Sequence, residues 1–213
     1  MTAFDLTQAF APQHIARRLA VSFDEAQLAA DLARMDEGWW GAHEGPYHDG
    51  QWESISLWAP GGDLRQQRSF GAPFAATEAL ERCTYVPSVL AAFACEKNRI
   101  RLMRLRAGGR ILRHSDPVEQ IDQRLLRVHV PIQTSDAVHF LVNDRRIVMK
   151  PGEAWHIDVR FPHEVHNGGT SPRVHLVMDL VGNAATAALL EAAESQGTGS
   201  LAQYYMSQLK PRA

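Results

Sequence analysis

Residues 154–181 read AWHIDVRFPHEVHNGGTSPRVHLVMDLV. Apolar and β-branched residues cluster at 154–159, 163–167 and 173–181, and Phe161-Pro162 and Gly168-Gly169 divide them. Runs this short, bounded by Pro and Gly, predict strands rather than helices. The same rhythm extends upstream through 100–106, 110–114, 124–132, 138–142 and 146–149. Asn143-Asp144 is expected to divide one hairpin and Pro151-Gly152 another. Many short, closely spaced strands predict a mainly β fold, a small barrel or jelly roll.

Outside this run the pattern changes. Residues 22–36 predict a helix, with Ser22 and Glu25 as a capping box and Leu28, Leu32 and Met35 on one face. Residues 76–83 and 88–97 predict two more, the second capped by Ser88 after Pro87. Between them, Trp52 to Trp58 reads as a strand. After 181 the chain returns to helix at 184–194 and 201–209. The expectation is one domain over 1–213. Residues 1–99 form a helical layer and a substrate-side segment, 100–181 the jelly-roll core, and 182–213 a helical tail.

A chain of 213 residues with 45% hydrophobic and 22% charged residues is ordinary for a globular protein, which argues against disorder. A net charge of -2 argues against non-specific nucleic-acid binding, which wants a basic surplus. Cys83 and Cys95 form no Cys-x-x-Cys pair, so neither a zinc ribbon nor a disulfide scaffold is indicated. There is no apolar run of about 18 residues and no basic-then-apolar start, so a cytoplasmic protein without a membrane span is expected.

The segment 113–117 reads Arg-His-Ser-Asp-Pro. In an extended chain His114 and Asp116 point the same way. They can supply two ligands of a two-histidine, one-carboxylate metal site, which leaves coordination positions open. Alone, this tripeptide is more readily a surface turn before Pro117. A third ligand has to come from another strand. His163 opens a strand after Phe161-Pro162, His166 would face the other way, and His156 alternates with Trp155 in a packing role; His163 is therefore favoured. Arg173 heads an alternating strand that can return beside 163–167. An inward arginine needs an anion: either a dicarboxylate cosubstrate or an internal acid such as Asp179.

Taken in order, His114-x-Asp116, Arg127-x-His129, Pro151-Gly152-Glu153, His163-Glu164-Val165 and Arg173 resemble the aspartyl/asparaginyl β-hydroxylase family of iron(II)- and 2-oxoglutarate-dependent oxygenases, its proline hydroxylase branch included. The resemblance covers residues 100–181. It implies a double-stranded β-helix with helices outside. It implies iron on His114, Asp116 and His163. It also implies 2-oxoglutarate held by Arg173 at its far carboxylate, with Arg127 and His129 near the other, and O2 as co-reactant. The implied reaction is hydroxylation of a carbon, the β-carbon in the family's pattern, of an amino acid that is free or in a peptide. The segment from Trp39 to Trp58, with His43, Tyr47 and His48, is the candidate substrate wall; the plainer reading is that Trp39, Trp52 and Trp58 anchor helices to the barrel. Arg104, Arg106, Arg110 and Arg113 lie near the metal strand; one is a candidate to recognise a substrate carboxylate, and most are expected to be solvated. The rival is a non-enzymatic, cupin-type binding barrel, which has no need of Arg173.

Overall fold

The computed structural model describes residues 13–71, 73–116 and 125–208. The chain opens with β1 (Gln13–His14), β2 (Ala16–Ser22), α1 (Glu25–Leu32), a 3-10 turn at Glu37–Trp39, β3 (Gly41–Ala42), β4 (Trp52–Pro60), β5 (Phe74–Ala76), α2 (Glu78–Arg82) and α3 (Val86–Ala91). It continues through β6 (Lys97–Leu105), β7 (Arg110–His114), β8 (Leu125–Gln133), β9 (Val138–Val142), β10 (Arg145–Arg146), β11 (Glu153–Ile157), β12 (His163–Asn167) and β13 (Arg173–Val181). The tail holds α4 (Ala184–Glu191), β14 (Glu194–Ser195), β15 (Thr198–Gly199) and α5 (Leu201–Gln208). No described helix is long and apolar enough to cross a membrane.

Two antiparallel sheets build a double-stranded β-helix. The larger runs β14-β2-β11-β8-β13-β6-β4-β3, with β5 also on β4, and the smaller runs β10-β9-β12-β7. Strand periodicity gives the larger sheet two unlike faces. Ile100 and Leu102 of β6, Val128, Val130 and Ile132 of β8, and Leu176, Met178 and Leu180 of β13 form one core with Leu28, Leu80, Val89 and Phe93 of the helical layer. Each fully buried side chain of this kind stabilises the fold by about 1.5–3 kcal/mol. The alternate residues of the same strands, Arg99, Arg101, Arg127, His129, Arg173 and Val177 among them, line a cavity inside the barrel. Between the sheets, Leu105, Trp155 and Ile157 pack on Ile111, Phe140, Val142 and Val165.

Strands 110–114, 138–142, 163–167 and 173–181 match the sequence reading at both ends. Several other expectations are corrected. The cap of α1 is Asp24, which accepts from Gln27 N at 2.9 Å; Ser22 belongs to β2, and the helix stops at Leu32. The helix expected at 88–97 is Val86–Ala91, and Lys97 already begins β6. Its amino end is satisfied from a distance: the buried Asp31 carboxylate accepts from Tyr85 N and Val86 N at 2.8 Å each. No local pattern could reveal that partner. The Asn143-Asp144 turn stands, with φ of 48° and 63° at its two residues and Val142 opposite Arg145. The Pro151-Gly152 turn is not a hairpin, because β11 pairs with β2 and β8 and not with β10. The chain instead crosses from one sheet to the other there. Gly152 has φ +74°, and a Cβ on it would lie 2.3 Å from Phe23 O.

The reading of 1–99 as a helical layer is incomplete, since β2 and β4 extend the large sheet on its two sides. ARRLAVS carries too many charges to stand out as a strand, yet Ala16 and Leu19 are buried in it. Cys83 and Cys95 are free thiols.

Candidate active site in the barrel cavity

The site begins with strand pairing. β7 and β12 are neighbours, and His114 and His163 are register partners across them, with ring centroids 4.3 Å apart. Each ring is fixed by its own chain: His114 Nδ1 donates to Leu112 O at 2.7 Å, and His163 Nδ1 donates to Phe161 O at 3.0 Å. A carbonyl only accepts, so Nδ1 carries a proton in both rings, which leaves Nε2 as the nitrogen able to offer a lone pair to a metal. Asp116 lies two residues beyond β7, its backbone N–H donating to Val159 O at 2.8 Å. Its Oδ1 is 3.7 Å from His114 Nε2, and the ligand-capable atoms of His114, Asp116 and His163 all lie within 4.8 Å of one another. Burial, then His114, pushes the His163 pKa down to about 4, so the ring is neutral at physiological pH. Burial would raise the Asp116 carboxyl, but Arg127 and the two histidines outweigh it and hold it below its usual range. Two imidazoles and one carboxylate on one side of a cavity suit a divalent transition metal with open positions. The fixed tautomers are the orientation that metal-binding histidines need.

A network of charge lies behind Asp116. Arg127 donates from NH1 to Asp116 Oδ2 at 2.7 Å and from Nε to Asp179 Oδ1 at 2.8 Å. Asp179 is fully buried, and its Oδ2 also accepts from Arg99 Nε at 2.9 Å and Arg101 NH2 at 3.3 Å. The internal acid suggested as a partner for Arg173 is therefore committed elsewhere. Arg173 is 2% exposed, and among the described residues it has no carboxylate partner. Its Nε has no hydrogen bond, its NH2 donates to His175 Nδ1 at 2.7 Å, and it lies 5.6 Å from the Phe140 ring centroid. Burial pushes its pKa down to about 9. His129 is buried as well, and neither ring nitrogen has a partner among the described residues.

His114, Asp116, His163, Arg127, His129 and Arg173 all border this one cavity of about 390 Å³. His166 and His156 do not line it; His156 Nδ1 donates to Arg127 O at 3.2 Å inside the fold. The mouth is formed by the loop after β3 and the loop between β4 and β5. Tyr47 stacks on His114 at 4.8 Å with planes 7° apart, and His43 packs on Trp52 at 3.6 Å. Gln67 ties the two loops together: its Oε1 accepts from Glu44 N at 3.1 Å and its Nε2 donates to Ala42 O at 3.0 Å. Trp39 and Trp58 pack on the helical core, as the plainer reading had it, whereas Trp52 lines the cavity. The tail also reaches the site, with Tyr204 OH 3.2 Å from Ser115 Oγ.

Sequence reasoning missed Arg99 and Arg101, both in the cavity wall. The signal was present, since Arg99-Ile100-Arg101-Leu102 alternates polar and apolar. Nearby, Arg104 and Arg106 pair with Glu37 and Glu53, and Arg113 with Asp144; none of these three borders the cavity.

Comparison with known proteins agrees with this architecture. The family model described as aspartyl/asparaginyl beta-hydroxylase matches residues 23–182. An L-proline cis-4-hydroxylase of Rhizobium meliloti (strain 1021) is 28% identical over 182 residues, covering 84% of this chain. The chain spans 65% of the length of that relative. Among solved structures, a Pseudomonas putida prolyl-4-hydroxylase aligns with TM-score 0.52 and 14% identity over 80% of this chain and 94% of that one. A 2OG-Fe(II) oxygenase family oxidoreductase from Burkholderia pseudomallei aligns with TM-score 0.50 and 15% identity over 81% of each chain. These two share the fold. Since the matched residues 23–182 take in α1 to α3 and the strands from β3 to β13, well over half of the chain, the chain belongs to the aspartyl/asparaginyl β-hydroxylase family.

Proposed function

We propose that this chain is an iron(II)- and 2-oxoglutarate-dependent oxygenase that hydroxylates a carbon of an amino acid, free or within a peptide. The observation that carries the reading is one cavity holding both His114, Asp116 and His163 and, in its wall, a buried Arg173 with no carboxylate of its own. A cupin-type binding barrel would account for the histidines but not for that guanidinium, whose burial is costly without an anion.

In this reading the Nε2 atoms of His114 and His163 and the Asp116 carboxylate hold iron(II). Iron held there supplies O2 activation coupled to the oxidative decarboxylation of 2-oxoglutarate, and so the oxidation of a substrate C–H bond. The chain's residues bind and orient. Arg173 pairs with the far carboxylate of 2-oxoglutarate, for which a guanidinium offers a two-pronged fork. His129, with both ring nitrogens unpartnered, donates to its other carboxylate. Arg127 takes a different duty from the one the resemblance implied. Its guanidinium is bound to Asp116 and Asp179, so it positions the carboxylate ligand and keeps it ionised. Tyr47, Trp52 and His43 wall the mouth, where they cover substrate and exclude water.

The substrate class follows the relative, whose name specifies L-proline and its C4 position. Proline is therefore the first compound to try, ahead of a β-carbon of aspartate or asparagine. The protein is incubated with iron(II), ascorbate and 2-oxoglutarate across a panel of free amino acids and short peptides. The expected result is succinate in step with a product heavier by one oxygen. His163→Ala is expected to lose both iron binding and turnover while keeping the fold. Failure to bind 2-oxoglutarate, with no turnover on any substrate, would move the assignment to the binding barrel.

A further inference from the structure

We infer that His175 is a positioning residue for the 2-oxoglutarate site: it holds the Arg173 guanidinium in place while leaving its charge available to the ligand. The inference rests on the reading of Arg173 as the partner of the 2-oxoglutarate carboxylate. It concerns a residue that does not itself border the main cavity.

The two side chains lie two residues apart on β13 and share one face of it. Their contact is a single hydrogen bond of 2.7 Å between Arg173 NH2 and His175 Nδ1. A guanidinium has only donors, so Nδ1 is the acceptor and the ring proton lies on Nε2. Burial, then the Arg173 charge, then His129, keeps the imidazole well below its ordinary pKa and therefore neutral. His175 is 2% exposed, and its Nε2 has no partner among the described residues. The ring packs edge-on against His129, with centroids 5.7 Å apart, and lines a second cavity that shares Phe140 with the main one. It thus supports Arg173 without itself bordering the space where a cosubstrate would sit.

The chemistry of the acceptor matters here. Arg127 shows what a carboxylate does to an arginine in this barrel: the charge is neutralised and the donors are used up. An Asp or Glu at 175 would do the same to Arg173 and compete with an incoming carboxylate. With no acceptor at 175, a long side chain with about 2 kcal/mol of rotamer entropy would be free to turn on its stem. A neutral imidazole nitrogen orients one NH2 group and cancels no charge. Arg173 Nε, which lacks a partner, stays available for a ligand.

The test exploits the two imidazole nitrogens. Asn places its amide oxygen on Cγ, as Nδ1 is placed, whereas Gln places it one atom further out, near Nε2. Affinities for iron(II) and, anaerobically on the iron-loaded protein, for 2-oxoglutarate are measured by calorimetry for wild type, His175→Asn, His175→Gln and His175→Phe. His175→Gln and His175→Phe are expected to weaken 2-oxoglutarate binding about tenfold or more, the loss of one charge-assisted hydrogen bond. His175→Asn is expected to stay within about threefold of wild type, and iron(II) affinity to be unchanged throughout. Equal losses in Asn and Gln, or no loss in Gln, would overturn the role. If the Phe variant does not fold, the Asn–Gln contrast decides alone. A wild-type protein that binds iron(II) but no 2-oxoglutarate instead overturns the cosubstrate reading on which the role stands.

Discussion

Arg127 and Arg173 sit on adjacent strands of one sheet and face the same cavity, yet they are built in opposite ways. Arg127 is bonded to two carboxylates, and although burial opposes it, Asp179 and Asp116 push its pKa further above the usual arginine value. Arg173 has one neutral acceptor and no carboxylate, and burial pushes its pKa down to about 9. A guanidinium remains protonated at neutral pH even so. The first cluster is complete without a ligand, and its electrostatics are those of architecture. The second carries a buried charge that no carboxylate compensates among the described residues. The contrast separates residues that shape the cavity from residues that wait for its contents.

The largest effect that could break this contrast is at Asp179. Asp179→Asn removes the carboxylate that Arg99, Arg101 and Arg127 share and should cost about 3–5 kcal/mol in urea unfolding, as loss of one partner of a buried ion pair does. A cost below about 1 kcal/mol would mean the cluster is not structural. Arg173→Met should behave in the reverse sense. The ligand-free protein should keep or raise its Tm, because a buried charge is removed, while 2-oxoglutarate affinity falls about a hundredfold. If Arg173→Met destabilises the free protein as much as Asp179→Asn does, the two arginines are alike.

A smaller change at Arg127 sharpens the division. Lys keeps the charge but cannot bridge two carboxylates as a planar fork does. Arg127→Lys is expected to weaken iron(II) binding about tenfold, the lower end of what loss of a ligand's hydrogen-bonding partner costs. Affinity for 2-oxoglutarate at saturating iron should move less than about threefold. The opposite pattern, with iron affinity intact and 2-oxoglutarate weakened, would return Arg127 to the cosubstrate.

What was legible in the sequence divides along the same line. The strands could be read because alternation is local, and His114-x-Asp116 and His163 could be proposed because the spacing of ligands on a strand is local too. The pairing of β8 with β13 was not legible. It sets Arg127 opposite Asp179, and nothing near either residue encodes a partner 52 positions away. For the same reason Asp179 could not be excluded as the mate of Arg173. Arg99 and Arg101 were passed over because a strand's alternation does not say which of its faces is inward; β6 is flanked by β4 and β13, so neither of its edges is open, and its arginine face lines the cavity. The Asp31 cap on α3 escaped in the same way, since its acceptor lies on another helix.

The smallest expected effect lies at the mouth, where the contrast between shaping and waiting residues is least developed. Tyr47 is 48% exposed, yet its ring lies nearly parallel to His114. It sits just after Gly45, whose φ of +121° lets the loop turn, in a loop clasped by Gln67. His114 is already oriented by its bond to Leu112 O, so the stack is not needed to aim the ligand. Tyr47→Ala should therefore change iron(II) affinity by less than about threefold, within the range expected for one exposed ring contact. Its consequence should appear in the KM for the hydroxylated substrate, which should rise, while Tyr47→Phe, which keeps the ring, stays near wild type. A large loss of iron binding in Tyr47→Ala would mean that the outer ring helps to build the metal site, and that the mouth belongs with the architecture rather than with the contents of the cavity.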